Sequence, residues 1–410
     1  MSPVALAGRT PSHRQDVGVP ACPACHGRPV RTFHTVEDVP TNSCILLDTI
    51  DAAKQYPLGD IRLGFCDCCG FVFNTAFDLA KTEYSGRYEE TQAFSDTFNR
   101  FHRALAERLI EKHGLRDKDV LEIGCGKGEF LMLMAELGAN RGVGIDPGVH
   151  TQRISGPAAS RLKFIADFYS EKYADHKVDF LACKMTLEHI PNPASFLATV
   201  RRGLGDQTQA VVFFQVPDAM RILRQCALED IYYEHCAYFS PGSLGRLFRS
   251  AGFDVLSLEV EYGGQYLTIE ARPRPPGAPP GPALALEDDQ EELRHLIATF
   301  PERSRCTLRR WRDRLDAAKQ AGETVVVWGS TSKAVAFLTT FAGEGDVAYV
   351  TDINPYRHNH FMAKTGHRII APGMLAQVRP DLVVVMNSLY ETEVRKDLAQ
   401  LGLSPEVRSL

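Results

Sequence analysis

The sequence predicts an α/β protein in three parts: a small cysteine-bearing module, a Rossmann-type doubly wound domain, and a second, Rossmann-like α/β domain at the C-terminal end. Three observations carry this expectation. Six of the eleven cysteines, Cys22, Cys25, Cys44, Cys66, Cys68 and Cys69, crowd into the first 70 of the 410 residues. From Val120 onward strand and helix patterns alternate, as a sheet covered on both faces requires. A proline-rich run, Arg272-Pro273-Arg274-Pro275-Pro276-Gly277, then breaks the alternation before buried-strand signals resume at Val325.

Along the chain, residues 1–19 read as a flexible leader and 20–85 as the cysteine module. The doubly wound domain spans 86–271. Phe98, Phe101, Leu105 and Leu109 recur at helical spacing, so a helix over Phe94–His113 leads into it. A strand at Val120–Ile123, a helix at Phe130–Leu137 and a strand at Gly142–Ile145 follow. Further strands are expected at Leu162–Ile165, Val178–Ala182 and Ala210–Gln215, with a helix at Ala194–Leu204. Phe253–Glu261 and Tyr266–Ala271 close the sheet. Residues 272–285 are too rich in proline for a helix or central strand and form an extended linker. The last part, 286–410, opens with a long polar helix near Leu286–Gln320 and carries three buried strands, at Thr324–Gly329, Ala348–Asp352 and Leu382–Met386.

Composition narrows the function. A hydrophobic share of 44% and a charged share of 24% are those of a globular protein. The net charge of −5 argues against a nucleic-acid partner, and the short basic run Leu308–Arg312 reads as a solvated helix face. No apolar run reaches the roughly 18 residues of a membrane span, so no membrane partner is expected. Met1–Gly8 lacks a basic segment followed by an apolar core, so the expected location is cytoplasmic. In such a reducing compartment crowded cysteines read as metal ligands before disulfides.

Cys22-Pro23-Ala24-Cys25 and Cys66-Asp67-Cys68-Cys69 are two Cys-x-x-Cys hooks. Each can aim two thiolates at one ion, and four thiolates make the closed tetrahedral shell of structural zinc. Cys22, Cys25, Cys66 and Cys69 are the expected ligands. Cys68 offers an alternative, but only Cys69 keeps the two-residue gap. With no open coordination position, the metal should organise the fold rather than do chemistry.

The segment Glu122-Ile123-Gly124-Cys125-Gly126-Lys127-Gly128 stands at a strand end and a helix start. Gly124, Gly126 and Gly128 let the backbone turn and approach a ligand. Glu129 occupies the place where a dinucleotide fingerprint needs its third glycine, which disfavours NAD or FAD. Glu122 suits a cationic amino-acid ligand, and Asp146 at the next strand end can accept two ribose hydroxyls. These features predict S-adenosylmethionine. Asp167 and Phe168, after the third strand, are placed to meet its adenine, and Met185 to His189 lie at the usual ligand edge of such a sheet.

The glycine loop and Leu187-Glu188-His189-Ile190-Pro191-Asn192-Pro193 resemble class I methyltransferases. Tyr56-Pro57-Leu58, Tyr232-Tyr233-Glu234-His235, Gly263-Gly264-Gln265, Val327-Trp328-Gly329-Ser330-Thr331-Ser332-Lys333 and Asp352-Ile353-Asn354-Pro355 make the chain similar, from Cys22 onward, to nucleotide-sugar C-methyltransferases. The resemblance implies C-methylation α to the ketone of a nucleoside-diphosphate deoxy-ketosugar lying between the last two domains. It also implies that a Tyr-x-Glu-His motif supplies the catalytic groups, here Tyr232, Glu234 and His235. Read as residues, His235 can take a proton near neutrality. Glu234 can fix its tautomer only if the backbone turns, or can bind a sugar hydroxyl. Tyr232, with Tyr84 or Tyr88, can donate to a developing enolate oxygen.

Two departures from the family, Tyr88–Phe94 after the first module and Gln265 where a serine is usual, border the expected substrate site. Ser330 to Lys333 open a helix and offer an anion site, unless this domain serves packing alone. His358, His360 and His367 show no ligand spacing with carboxylates and read as ordinary surface or packing residues. The competing functions are O- or N-methylation of another sugar or small metabolite, and a non-catalytic zinc scaffold that only binds cofactor.

Overall fold

The computed structural model describes residues 21–410 except Glu344. The leader expected at 1–19 lies outside the described residues. Three sheets carry the chain. The first is antiparallel, with β1 (Val30–Pro40), β2 (Leu58–Cys66), β3 (Val72–Asn74) and, last in the order, β9 (Ala237–Tyr238). The second has seven strands: β4 (Asp119–Ile123), β5 (Arg141–Ile145), β6 (Leu162–Ile165), β7 (Phe180–Lys184), β8 (Val211–Pro217), β10 (Phe253–Glu261) and β11 (Tyr266–Pro273). The third, all parallel, contains β12 (Val325–Trp328), β13 (Tyr349–Thr351), β14 (Ile369–Ile370), β15 (Leu382–Val385) and β16 (Glu406–Ser409).

Strand order in the second sheet is β10-β11-β8-β7-β4-β5-β6, with β11 antiparallel to both its neighbours. The strands with continuous apolar runs, β7 and β8, are buried on both faces, which is the condition a parallel sheet between helix layers imposes. Because β4 sits between β5 and β7, the winding reverses there. A crevice opens above the C-terminal ends of β4 and β7, where ligands of such sheets bind. The same reversal occurs at β12, between β13 and β15.

The helix expected from Phe94 begins at Asp96. Ser95 caps it by accepting from the Phe98 N–H, and Gly114 ends it in the left-handed conformation at φ +62°. The long helix runs Gln290–Ala321, starting after Asp289 because Ala285–Glu287 forms its own short turn. The C-terminal domain has five strands rather than the three expected. Two-residue β14 is too short for a periodic signal, and edge strand β16 is half exposed with no buried apolar run. Strand β1 was likewise invisible as a buried run, since most of its side chains face solvent and its register shifts twice.

The first module does not stand apart. Val72 pairs with Tyr238 and Phe73 with Ala237, so the strand completing its sheet comes directly after His235. One face of this sheet, through Ile61, Leu63 and Phe65, shares a core with Phe300 and Leu315 of the long helix and Phe337 of the third domain. Cys22, Cys66 and Phe71 belong to another core, with Phe239 and Phe248 of the second domain. Among the described residues no helix is long and apolar enough to cross a membrane.

Candidate cofactor and active site

The two hooks meet. The sulfurs of Cys22, Cys25, Cys66 and Cys69 all lie within 4.8 Å of one another. Cys22 Sγ is 3.6 Å from Cys69 Sγ and Cys25 Sγ is 3.7 Å from Cys66 Sγ. A tetrahedron with Zn–S bonds of about 2.3 Å has edges of about 3.8 Å, so the four thiols fit one zinc ion. Tight turns set this geometry: the His26 N–H donates to the Cys22 carbonyl, and the Gly70 N–H to that of Cys66. Cys68 turns away, its thiol directed at the Arg28 carbonyl.

At the end of β4 the chain enters the glycine loop. Gly124 has φ +69°, and a Cβ there would stand 2.0 Å from Thr186 Oγ1; at Gly126 it would meet Glu90 Oε1 at 2.8 Å. Glycine is required at Gly124 by the fixed Thr186, and at Gly126, where the Glu90 tip could shift, it is favoured by the left-handed φ of +52°. The Asp146 carboxylate is held by the loop itself, Oδ2 accepting from the Gly126 N–H at 3.0 Å and Oδ1 from the Gly148 N–H at 2.7 Å. Glu122 is buried and its Oε2 has no hydrogen-bond partner among the described residues. Asp167 accepts from the Phe168 N–H at 2.8 Å and pairs with Lys172, while the Phe168 ring is 62% exposed at the rim. Met185 adopts φ +48° and donates its N–H to the Gln215 carbonyl. Lys127 went unremarked in the sequence. Its Nζ donates to the Tyr88 and Gly148 carbonyls, lashing the 84–91 segment to the loop.

These residues line a cavity of about 530 Å³ that continues to Tyr232, His235, Ser332 and Asn354. Its far part is built by the turn at 232–236, where the His235 N–H donates to the Tyr232 carbonyl. That turn puts the Tyr232 hydroxyl 2.7 Å from His235 Nε2. Tyr233 points away into the core, its hydroxyl accepting from the Asp78 N–H. Glu234 also turns away from the imidazole. Its carboxylate accepts from the Ser43 N–H at 2.5 Å, the Ser43 hydroxyl at 3.0 Å and the Tyr88 hydroxyl at 2.9 Å. Of the two roles left open for Glu234, the contact with the His235 ring is therefore not made.

Two further groups complete the cluster. Tyr84 OH lies 3.0 Å from His189 Nδ1, and the His189 and His235 rings meet edge to face at 4.9 Å. Glu188 Oε1 is 3.9 Å from His235 Nε2, and neither oxygen of this buried carboxyl has a hydrogen-bond partner among the described residues. Burial pushes the Glu188 carboxyl up to about 8. Burial, and after it the neighbouring His189, holds the His235 imidazole well below the ordinary histidine value. Burial likewise keeps the hydroxyls of Tyr84, Tyr88 and Tyr232 protonated. The cavity thus brings a neutral imidazole and three phenol donors together. Glu188 and His189 lay within a segment expected at the ligand edge. What could have singled them out was their place in the Leu-Glu-His-Ile-Pro motif.

In the third domain two of the four side chains expected to bind an anion, Ser330 and Lys333, are engaged otherwise, while Thr331 and Ser332 line the cavity. The Ser330 N–H and hydroxyl both donate to Asp352 Oδ2, and Lys333 Nζ pairs with Asp230 at 2.6 Å. Arg357, buried and missed in the sequence, donates to Ser330 Oγ and to the Cys44 and Glu89 carbonyls. These contacts bind the domains to one another around the cavity.

The family described as "Methyltransferase domain" matches residues 93–258, and that described as "C-methyltransferase C-terminal domain" matches 283–403. C-methyltransferase NovU of Streptomyces niveus is 26% identical over 327 residues, covering 75% of this chain and 76% of NovU. A ubiquinone biosynthesis O-methyltransferase of Pseudomonas aeruginosa (strain UCBPP-PA14) is 32% identical over 170 residues, covering 36% of this chain and 69% of that protein. Among solved structures, the 1,6-didemethyltoxoflavin-N1-methyltransferase of Burkholderia thailandensis aligns with 44% of this chain and 82% of its own, at 18% identity and a TM-score of 0.33. The doubly wound sheet, its glycine loop and the two family matches in order agree: the chain belongs to the S-adenosylmethionine-dependent C-methyltransferase family.

Proposed function

We propose that the protein methylates the carbon next to the ketone of a nucleoside-diphosphate deoxy-ketosugar, with His235 as the general base. The observation that carries this reading is the buried, neutral His235 imidazole, set against the Tyr232 hydroxyl in the same cavity as the glycine loop. When bound, S-adenosylmethionine supplies an electrophilic methyl group, so the protein's tasks are orientation and proton removal. The glycine cradle and the unpartnered oxygen of Glu122 fit that cofactor. His235 takes the α-proton, and Tyr232 and Tyr84 are the hydroxyls available to the oxygen on which charge gathers, while the Tyr88 hydroxyl donates to Glu234. Glu234 holds Ser43 and Tyr88 in the wall. The third domain contributes Ser332 and Asn354 to the same cavity, which supports an acceptor reaching between domains. Zinc, held by Cys22, Cys25, Cys66 and Cys69, is structural in this reading.

O-methylation is the second reading, since the ubiquinone biosynthesis relatives are O-methyltransferases. Their likeness covers 36% of the chain, in contrast to the 75% spanned by NovU. The deciding experiment incubates the protein with cofactor carrying a labelled methyl and a panel of nucleotide keto-sugars, then locates the methyl by NMR. A methyl on carbon α to the ketone is expected; one on oxygen or nitrogen overturns the proposal.

Two results follow from this placement. Asp146→Ala should weaken S-adenosylhomocysteine binding by a factor on the order of 10²–10⁴ in calorimetry, because hydrogen bonds from two ribose hydroxyls to a carboxylate are worth about 1.5–3 kcal/mol each. The pH profile is the second. With its pKa depressed, His235 stays deprotonated as pH falls through the ordinary histidine value of about 6.5, so the acid limb of kcat/KM should lie below that value. A limb above pH 7 would assign proton removal to another group.

A further inference from the structure

Beside His235 stands a carboxyl that no described residue engages. Glu188 lies in the short turn Leu187–His189 that follows β7, and its side chain is fully buried in the cavity wall. The Glu188 carbonyl accepts from the Cys236 thiol at 3.5 Å, which ties this turn to the one carrying His235. Among the described residues its two carboxyl oxygens have no hydrogen-bond partner, and Oε1 is 3.9 Å from His235 Nε2. The nearby phenols are all occupied. Tyr84 meets His189 Nδ1 at 3.0 Å, Tyr88 donates to Glu234 at 2.9 Å, and Tyr232 meets His235 Nε2 at 2.7 Å. Drawing one of these to a substrate oxygen leaves its present partner bare, which for a buried polar group costs about 1–3 kcal/mol. Glu188 has no such partner to lose.

An acid and a base at this separation fit the two ends of an enolising ketone. Bonds of about 1.23 Å for C=O and about 1.52 Å for C–C put the carbonyl oxygen about 2.4 Å from the α-carbon. Groups 3.9 Å apart can therefore reach both atoms at once. We propose that Glu188 is the general acid of the reaction, donating its proton to the ketone oxygen while His235 removes the α-proton. This rests on the base-catalysed reading above and gives the ketone oxygen an uncommitted donor. The C–H electron pair becomes the C=C bond, the carbonyl π pair takes the proton of the Glu188 O–H, and the α-proton goes to His235. The result is a neutral enol with an imidazolium and a carboxylate facing each other, where a low dielectric strengthens their attraction. Glu188 recovers its proton as the ketone re-forms, and His235 releases its own to solvent. Burial supports this division of labour. It pushes Glu188 up to about 8 and holds His235 low, so between those values acid and base are both in their working form.

The pH profile tests the assignment. The groups facing Glu188 are the imidazoles of His189 and His235, the hydroxyls of Tyr84, Tyr232 and Tyr266, and the thiols of Cys183 and Cys236, and burial moves each of them away from pH 8. Glu90, Glu122 and Lys184, at the cofactor end of the cavity, do titrate between about 7 and about 8, so the profile is taken at saturating S-adenosylmethionine. For wild-type protein kcat/KM for the keto-sugar should fall as pH rises through about 8, because ionised Glu188 has no proton to give. Glu188→Gln should abolish this basic limb and slow both methyl transfer and α-proton exchange in heavy water on the order of 100-fold. Retained S-adenosylhomocysteine affinity shows that the variant is folded. If the glutamine variant does not bind it, Glu188→Asp takes its place: the acid is kept but drawn back by one methylene, so the limb should remain while the rate falls. A wild-type profile without a basic limb, a limb that survives Glu188→Gln, or an undiminished rate in either variant would overturn the assignment. Wild-type protein that neither exchanges the α-proton nor methylates carbon would overturn the base-catalysed reading itself.

Discussion

His235→Ala should lower methyl transfer by a factor on the order of 10²–10⁴, the usual worth of a positioned general base. Cofactor affinity should be retained, because the imidazole touches Tyr232 and His189 rather than the glycine loop. A partial-reaction assay separates proton removal from methyl transfer. With S-adenosylhomocysteine and a keto-sugar bound, wild-type protein in heavy water should exchange the α-proton for deuterium, and the variant should not. Exchange that persists in His235→Ala would move the base to Glu188, whose unpartnered carboxyl lies 3.9 Å from the same nitrogen, or to one of the phenols. The imidazole can be replaced without a steric penalty, although alanine leaves the Tyr232 hydroxyl without its partner. His235→Gln, which restores a polar group there, should recover stability but not exchange.

The second large effect is expected from the four cysteines. Elemental analysis should find about one zinc per chain, and Cys66→Ser should lose it. Binding of structural zinc by four thiolates is worth roughly 10–16 kcal/mol, comparable with the 5–15 kcal/mol that holds an ordinary domain folded. Metal loss should therefore melt the first module, read as a fall in thermal midpoint. The damage should not stay there, because β9 follows His235 and pairs with β3. Loss of catalysis should accompany loss of metal, while the Asp146 region, carried by the second sheet, continues to bind S-adenosylhomocysteine. Metal-free protein with an unchanged midpoint and unchanged turnover would contradict this account.

Much of the architecture was legible because it is encoded locally. The two hooks, the glycine loop and the buried runs at β4, β7, β8, β12 and β15 each announce themselves within a few residues. So does the helix Asp96–His113, whose start the helical periodicity placed to within two residues. What escaped is encoded across distance. Glu234 finds Ser43, Tyr84 finds His189 and Arg357 finds Glu89, pairings that no periodicity expresses. Lys184 was passed over for a related reason: a lysine at the end of an apolar strand reads as a solvated terminus until the helix bearing His102 is laid over it. Of the two roles left open for Glu234, the contact with the imidazole is not made, because the tight turn at 232–235 brings Tyr232 and His235 together and leaves the buried Glu234 carboxylate to Ser43 and Tyr88.

Strand β9 also gives the protein a history as it leaves the ribosome. The two cysteine hooks emerge early, yet β3 must wait for Tyr238 before its free edge is covered. At about 5–20 residues per second that interval is on the order of ten seconds or more. Throughout it the nascent chain presents an unpaired row of N–H and C=O groups, the feature that invites pairing with other chains. The two cysteine hooks can meet as soon as both have emerged, but the sheet closes only when the strand after the 232–236 turn arrives. Release of a truncated product ending before Ala237 should accordingly yield a species prone to self-association.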